Sequence, residues 1–173
     1  MRPARRDDPP HLPEIERRAG ELFEGFESLG DDGAGDAAWF REAQQAGLLW
    51  VAADADDRPV AFALFTRLDG DALHLEEIDV HPDHMRQALG ARLLDAAAAW
   101  ARELGHDAIT LTTYRDVPWN APYYERIGFC VVPRGRWSPA LARRVAEEAR
   151  RGLDADRRVV MRRPLGACGD DGA

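Results

Sequence analysis

The segment LHLEEIDVHPDHMRQALGARLLDAAAAW, residues 73–100, decides the fold of this chain. Residues 73–80 alternate between two faces, as a half-buried strand does, and Pro82 follows them. Helical periodicity then takes over and ends at Gly105. Its apolar residues, spaced by three and four, are Leu89, Leu93, Ala96, Ala97, Trp100 and Leu104. The segment therefore predicts a strand, a short loop and a long amphipathic helix.

The loop at residues 86–91 is a candidate anion-binding site. The first amides of a helix have no acceptor within the helix and carry the positive end of its dipole, so small residues such as Gly90 let an anionic oxygen approach the backbone. Arg86 and Arg92 would add local positive charge to a chain whose net charge is −8. Many α/β proteins have a glycine in such a loop and bind nothing there, so the loop alone does not establish a site.

A second strand, loop and helix follow in AITLTTYRDVPWNAPYYERIGFCVV, residues 108–132. A β-rich run leads through a proline-containing loop into a short helix with Asn120, Tyr123 and Tyr124, which ends at Gly128. Together the two segments resemble the GNAT superfamily of acyl-CoA-dependent N-acetyltransferases, and the resemblance covers most of the chain. It implies an α/β (mixed α+β) fold, with a central mixed sheet built as an antiparallel meander and then a βαβ unit, flanked by helices.

The resemblance also implies that acetyl-CoA is the co-substrate and that its pyrophosphate lies in the loop. The family pattern Q/R-x-x-G-x-G/A falls on residues 85–90, with Met85 in place of Gln or Arg and Ala88 in place of Gly. Because alanine is compatible with a helical φ, we expect weakened rather than abolished cofactor binding. The implied cofactor-binding residues are Ile78, Asp79, Val80, Met85, Arg86, Gln87, Ala88, Leu89, Gly90, Ala91 and Asn120.

Acetyl transfer to an amine requires a base, because an alkylamine is protonated at neutral pH. Alternation along the strand places His74 and Glu76 on one face and Glu77 and Asp79 on the other. The resemblance puts family bases at the positions of His74 and Glu76. Glu76, acting through a water, is the first candidate and His74 the second. Glu77 is kept in reserve because a β-bulge would change the faces.

The short helix supplies the candidate acid. Tyr124 occupies the position of the family's general acid, which would protonate the departing thiolate. Either tyrosine of the Tyr123–Tyr124 pair could instead pack the helix onto the sheet, and the Y-x-x-x-G-F spacing favours Tyr124 for chemistry. Asn120 could hydrogen-bond the cofactor arm, cap the helix, or do both. Main-chain amides near Ile78 and Val80 would hold the pantetheine arm and polarise the acetyl carbonyl.

Composition predicts one compact cytosolic domain. The chain has 173 residues and 45% hydrophobic content, so residues 1–165 can bury a core as a single domain, and residues 166–173 are expected to be disordered. The sequence contains no apolar run of about 18 residues that could span a bilayer, and MRPARRDDPP at its start lacks the apolar stretch of a signal peptide. The net charge of −8 argues against nucleic acid as a partner.

The histidines and cysteines do not indicate a metal site. His81 and His84 in HPDH suggest one superficially, but no Cys or His cluster elsewhere in the sequence completes a ligand set, so we expect no metal. Cys130 and Cys168 lie far apart and form neither a disulfide framework nor a metal motif. We interpret Cys130 as core packing and Cys168 as exposed.

The remaining patterns complete the predicted fold. Residues 2–5 could form a first edge strand, and Asp36 is a candidate N-cap. Further helices are predicted at residues 10–28, 37–46 and 139–151, and further strands at 48–53, 59–67 and 157–163. The helix at 139–151 is expected to carry its acidic and basic residues on an exposed face.

We therefore expect an N-acetyltransferase that moves an acetyl group from acetyl-CoA directly to a primary amine of a small molecule. The acidic surface would suit a cationic amine or serve solubility alone. The alternatives are a protein or peptide N-acetyltransferase and a non-catalytic acyl-CoA-binding module, which Met85 and Ala88 favour. A nucleotide-binding regulatory domain ranks last because its glycine-rich motifs are absent from the sequence. The expected partner is the amine, with no nucleic acid and no membrane, and a homodimer is compatible with these expectations.

Overall fold

The computed structural model describes residues 1–21, 36–68 and 72–166. Within these ranges the α-helices are α1 (Leu12–Gly20), α2 (Ala37–Gln45), α3 (Leu89–Glu103), α4 (Ala121–Arg126) and α5 (Pro139–Arg150). The strands are β1 (Arg2–Pro3), β2 (Leu49–Ala53), β3 (Pro59–Arg67), β4 (Ala72–Val80), β5 (Ala108–Tyr114), β6 (Cys130–Val131) and β7 (Arg158–Pro164). Short 3-10 helices occupy Pro9–His11, Pro82–His84 and Arg134–Arg136.

The strands form one mixed sheet in the order β1-β2-β3-β4-β5-β7-β6. β1 with β2 and β2 with β3 pair antiparallel, and the short connection between Arg67 and Ala72 requires the same of β3 and β4. The crossover through α3 then makes β4 and β5 parallel, with His74 opposite Thr110. The predicted mixed α/β fold, a meander followed by a βαβ unit, is confirmed.

Contacts within the chain divide it into two compact units. The first comprises Met1–Thr66, Glu76–Ala97 and Arg151–Leu153. The second comprises Arg67–Leu75, Ala98–Arg150 and the chain from Asp154 onward. β4 and α3, the strand and the helix of residues 73–100, each contribute residues to both units.

The core of the first unit lies where α1 and α2 cover β2 and β3. Its buried members are Ala4, Leu12, Ile15, Phe40, Leu49, Val51, Phe62 and Leu64. The ring of Phe40 meets that of Phe62 edge-on, with centroids 5.0 Å apart. Asp36 fixes the start of α2, because its side chain accepts hydrogen bonds from the amides of Ala38 and Trp39 at 2.8 and 2.9 Å. The predicted N-cap is confirmed.

The second unit differs from expectation at two positions. Glu148 of α5 is buried, with 5% of its surface exposed, whereas the sequence predicted that the charged residues of this helix face outward. Cys130 is exposed, so its interpretation as core packing is wrong. The reason is topological: β6 is a two-residue strand at the edge of the sheet, and both its residues are exposed.

Several predictions fall partly or wholly outside the described residues. They are the end of the first predicted helix at residues 22–28, the loop that follows it, Cys168, and the predicted tail from residue 167 onward.

Candidate active site

The chain leaves β4 through a firmly held turn. The amide of His81 donates to the carbonyl oxygen of Val60 at 2.9 Å, which ties the end of β4 to β3. The turn Pro82–His84 then closes, with the amide of Asp83 donating to Nδ1 of His81 at 3.3 Å. The loop that follows therefore starts from a fixed point at the carboxyl end of β4.

The backbone of the loop has an unusual conformation at two residues. φ is +62° at Arg86 and +53° at Ala88, while Gln87 between them is not left-handed. Alternation of this kind turns successive main-chain N–H groups toward one side, which is the geometry of an anion-binding nest. The expectation that Ala88 takes a helical φ is wrong, and the positive φ explains why glycine suits this position.

Helix α3 continues from the loop without a break. The amide of Arg92 donates to the carbonyl oxygen of Ala88 at 3.0 Å, so the first turn of the helix begins there. The amides of Leu89, Gly90 and Ala91 precede any acceptor within the helix. The side chain of Leu89 is buried and anchors this turn, whereas residues 85–88 are exposed. The exposed residues 85–88 therefore lie beside the open amides of the first helical turn, an arrangement that favours an anionic ligand.

The second half of β4 carries the other predicted residues of the first unit, all half-buried. These are Glu76, Glu77, Ile78, Asp79 and Val80. Desolvation raises the pKa of Asp79, a hydrogen bond with Glu77 partly opposes this, and the charge of Glu16 in α1 adds to it, so that the pKa is about 7. A carboxyl group that titrates near neutral pH can exchange protons in a catalytic cycle.

Sequence reasoning treated Asp79 only as a cofactor contact and did not anticipate this titration. One signal was available, because Glu77 and Asp79 are two residues apart and so share a face of the strand. The sequence around Asp79 does not indicate that Glu16 of α1 lies near it in the fold.

His74 lies at the start of β4, in the second unit, and is completely buried. Its Nδ1 is hydrogen-bonded to Oγ1 of Thr110 at 2.9 Å, and its Nε2 is buried without a hydrogen-bond partner among the described residues. Burial and, to a smaller extent, the positive charges of Arg144 and Arg158 together lower the pKa of His74 to about 3. The imidazole is therefore neutral at physiological pH.

Helix α4 positions Tyr124 and Asn120 in the second unit. Tyr124 is buried, and its ring packs edge-on against those of Tyr123 and Phe129, with centroids 5.4 and 5.5 Å away. The carbonyl oxygen of Asn120 accepts hydrogen bonds from the amides of Tyr123 and Tyr124 at 2.9 and 3.0 Å. The Asn120 side chain makes no capping hydrogen bond, so the capping role considered for it falls to its main chain.

A group of buried charged side chains in the second unit was not predicted from the sequence. In the second unit, Glu148 of α5 lies between Arg144 of the same helix and Arg158 of β7, at 3.3 and 3.4 Å. The spacing of Arg144 and Glu148 is typical of a solvent-exposed helical pair, which misled the prediction. The signal that could have revealed them is periodicity, because Glu148 is seven residues after the apolar Leu141 and so lies on the buried face.

Across residues 1–21, 36–68 and 72–166, no group of three or more His, Cys, Asp or Glu side chains is arranged to hold a metal ion. In the same ranges no helix combines the length and apolar character needed to cross a membrane.

Known proteins resemble this chain in sequence pattern and in fold. The family model described as acetyltransferase (GNAT) family matches residues 12–129. A GNAT-family acetyltransferase from Staphylococcus aureus Mu50 superposes with a TM-score of 0.73 at 19% identity, covering 96% of this chain and 98% of that chain. The ribosomal-protein-S18-alanine N-acetyltransferase from Escherichia coli gives a TM-score of 0.63 at 21% identity, covering 98% and 96%.

N-acetylglutamate synthase from Neisseria gonorrhoeae, solved with coenzyme A and N-acetyl-glutamate, gives a TM-score of 0.72 at 17% identity. That match covers 96% of this chain but only 35% of the synthase chain, so this chain spans about a third of that protein. At these identities the solved structures establish the fold, and the family match over residues 12–129 establishes the family. The chain therefore belongs to the acetyltransferase (GNAT) family and carries the domain of an acetyl-CoA-dependent acyltransferase.

Proposed function

We propose that this chain transfers the acetyl group of acetyl-CoA directly to a primary amine of a small molecule. The observation that carries the proposal is the loop between β4 and α3, where two left-handed residues, Arg86 and Ala88, precede the open amides of the first helical turn. Such a junction binds anionic oxygens through main-chain donors and needs no lysine, which this sequence lacks.

Acetyl-CoA would supply an activated thioester, and the side chains of this chain would manage the protons. Glu76, half-buried on β4, would remove a proton from the ammonium group of the acceptor through a water. Tyr124 would donate a proton to the departing sulfur. Main-chain amides near Ile78 and Val80, with Asn120, would hold the cofactor arm and stabilise negative charge on the acetyl oxygen.

His74 and Asp79 rank behind Glu76 as bases for opposite reasons. His74 is neutral at physiological pH, so it could accept a proton, but its complete burial separates it from water. Asp79 has a pKa of about 7 and is only half-buried, but it lies on the face of β4 opposite to Glu76, where Glu77 and Glu16 approach it. Glu77 stays in reserve because it too lies on the face of β4 opposite to Glu76.

The first test is calorimetric titration with acetyl-CoA and, separately, with ATP as a control polyphosphate. We expect saturable binding of acetyl-CoA that ATP does not reproduce, followed by release of free thiol when primary amines are added. Glu76→Gln should remove the ascending limb of the rate-versus-pH profile, and Asp79→Asn serves as its comparison on the opposite face.

The outcomes separate the competing functions. Binding of acetyl-CoA without turnover on any amine or peptide would support a non-catalytic acyl-CoA-binding module. Turnover on peptide N-termini and not on small amines would support a protein N-acetyltransferase, the activity named for the similar enzyme from Escherichia coli. Absence of acetyl-CoA binding would contradict the proposal altogether.

A further inference from the structure

The open edge of the second unit's sheet carries a small basic surface. β6 (Cys130–Val131) is the last strand in the order of the sheet, and β7 pairs with it on one side. Neighbouring residues of a strand point to opposite faces, and Cys130 and Val131 are both exposed, so neither face of β6 is covered by the described residues. We call this the β6 edge surface, and its members are Arg126, Cys130, Val131, Arg134 and Arg136.

The β6 edge surface has an excess of positive charge. From residue 126 to residue 136 the sequence contains three arginines and no acidic residue, and the exposed Glu125 precedes this run. The side chains of Arg126, Arg134 and Arg136 are exposed, and none of them has a salt bridge to an acidic side chain among the described residues. These three charges therefore remain available to an anionic partner.

Aromatic rings hold two of the guanidinium groups. The guanidinium carbon of Arg126 lies 6.0 Å from the ring centroid of Tyr123, and that of Arg134 lies 5.8 Å from the ring centroid of Trp137. Trp137 is itself fixed, because its indole N–H donates to the carbonyl oxygen of Val132 at 2.9 Å. A stacked guanidinium keeps its N–H groups at the edge of its plane, where they can meet both oxygens of a carboxylate. These side chains therefore lose less conformational entropy when they bind such a group.

The strand between the arginines adds an apolar contact and a short main-chain edge. Val131 is 48% exposed, a large fraction for an apolar side chain. The amide of Val132 donates to the carbonyl oxygen of Val160 at 2.8 Å, so antiparallel alternation turns the N–H and C=O groups of Val131 toward the open edge. Pro133 follows and has no N–H, so a partner can pair with little more than one residue of this edge. Side-chain contacts with the arginines must therefore supply most of the affinity.

We propose that the β6 edge surface binds a short acidic segment of a partner protein, with carboxylates on the three arginines and an apolar side chain on Val131. Arg134 follows Cys130 by four residues, about 13 Å along an extended chain, so a segment of about four to six residues would cover the surface. A nucleic acid is a poorer match, because its phosphates would continue beyond three arginines onto a chain whose net charge is −8. The inference does not depend on the proposed acetyl transfer.

The first arm of the test uses the unaltered protein and the peptide Glu-Glu-Val-Glu-Glu, with a fluorophore on its N-terminus and an amide at its C-terminus. This peptide has no primary amine, so its binding is independent of acetyl transfer. Fluorescence anisotropy at about 0.15 M salt measures the Kd, and Gln-Gln-Val-Gln-Gln with the same end groups is the uncharged control. We expect saturable binding of the acidic peptide, about tenfold or more tighter than that of the control. Absence of saturation, or equal Kd values, would overturn the inference.

The second arm uses variants of equal charge change. Arg126→Gln and Arg134→Gln should each raise the Kd of the acidic peptide about fivefold, because each removes one contact between a guanidinium and a carboxylate. Arg150→Gln is the matched control, because Arg150 is exposed and lies about 16 Å along α5 from Pro139, and it should change the Kd by less than about twofold. Thermal unfolding of each variant checks that it is folded. Equal effects of all three variants would mean that overall charge attracts the peptide, and would contradict the inference.

The exposed thiol of Cys130 locates the bound peptide. In a Cys168→Ser background, a saturating concentration of the acidic peptide should slow alkylation of Cys130 about fivefold or more, because a covered thiol reacts less readily. An unchanged rate would place the peptide elsewhere on the protein and overturn the inference.

Two other partners would give different results. Tighter binding of a single-stranded oligonucleotide of equal charge than of the acidic peptide would identify a nucleic acid as the partner. Sedimentation of the protein alone as a dimer that Arg134→Gln dissociates would identify a second copy of this chain. Either result would overturn the inference.

Discussion

At the scale of single residues, Ala88 in the loop before α3 has a φ of +53°, in the left-handed region that a Cβ disfavours. An alanine held there costs about 1–2 kcal/mol, a strain that the surrounding turn and helix must offset.

Ala88→Gly should therefore increase the free energy of unfolding by about 1 kcal/mol and tighten acetyl-CoA binding, because it relieves the strain and removes a methyl group beside the amides. Chemical denaturation and calorimetry measure the two effects. Ala99→Gly, in an ordinary exposed position of α3, is the control and should lower stability by about 1 kcal/mol. A destabilised Ala88→Gly would show that this residue does not adopt a left-handed conformation in solution.

A variant of Tyr124 distinguishes a catalytic role of its hydroxyl from a packing role of its ring. If its hydroxyl protonates the leaving thiolate, Tyr124→Phe should lower kcat about a hundredfold and leave the Kd for acetyl-CoA within about twofold. Tyr123→Phe, which alters the adjacent half-buried ring, should change kcat little. Parallel losses in kcat and in cofactor affinity would instead identify Tyr124 as a packing or binding residue.

Asp79 should make stability depend on pH in a defined direction. Its pKa is raised by burial to about 7, well above the value near 3.9 of an unfolded chain, so the folded state holds the proton more tightly. This contribution is fully present below about pH 4 and is lost as pH rises through about 7.

Asp79→Asn should consequently be more stable than the unaltered protein above pH 7, by at least about 1 kcal/mol after allowance for partial exposure and the contact with Glu77. Denaturation curves recorded between pH 4 and 8 measure the difference. The exposed Glu103→Gln controls for charge removal and should not show this pH-dependent gain. A difference that is constant across this range would exclude a raised pKa at Asp79.

At the scale of elements, α5 contacts the sheet through a buried carboxylate. Glu148 meets Thr112 of β5 and Arg158 of β7, so one carboxylate links the helix to two strands. Glu148→Gln should lower the free energy of unfolding by about 3 kcal/mol, because it removes the carboxylate that pairs with the buried guanidinium groups of Arg144 and Arg158.

Chemical denaturation of Glu148→Gln measures this loss, with Glu147→Gln, the half-buried neighbour on α5, as the control at less than about 1 kcal/mol. Similar values for the two variants would mean that α5 is held by its apolar residues, such as Leu141, and not by the ionic contacts.

At the scale of the whole molecule, an acidic chain must bind an anionic co-substrate. The net charge is −8, yet the loop after β4 concentrates main-chain donors, Arg86 and Arg92 at one place. Local geometry can therefore outweigh the overall repulsion, which salt screens beyond about 8–10 Å.

Acetyl-CoA at 100 times its Kd should stabilise the folded protein by about 2.7 kcal/mol, which corresponds to an increase in Tm of about 5–10 °C for a chain of this size. Differential scanning calorimetry measures the shift, with ATP at the same concentration as control. Equal shifts with both ligands would indicate a general response to polyphosphate, not a site for coenzyme A.

The sequence alone determined the order of elements, the helix cap at Asp36 and the junction of loop and helix within residues 86–91, because periodicity and capping depend on neighbours a few residues away. Local pattern also predicted the strand bounds of β3 correctly, whereas α3 begins at Leu89, inside the predicted loop.

Only the tertiary structure decided the sign of φ at Ala88, the burial of Glu148, the raised pKa of Asp79, the exposure of Cys130 and the position of β7 between β5 and β6. Each of these depends on which distant segment covers a residue. Glu148 shows the reason most clearly. Its helical spacing from Arg144 is the same on an exposed helix face and on a face packed against strands. Only the contacts with Thr112 and Arg158, 36 and 10 residues away, make it a buried charge.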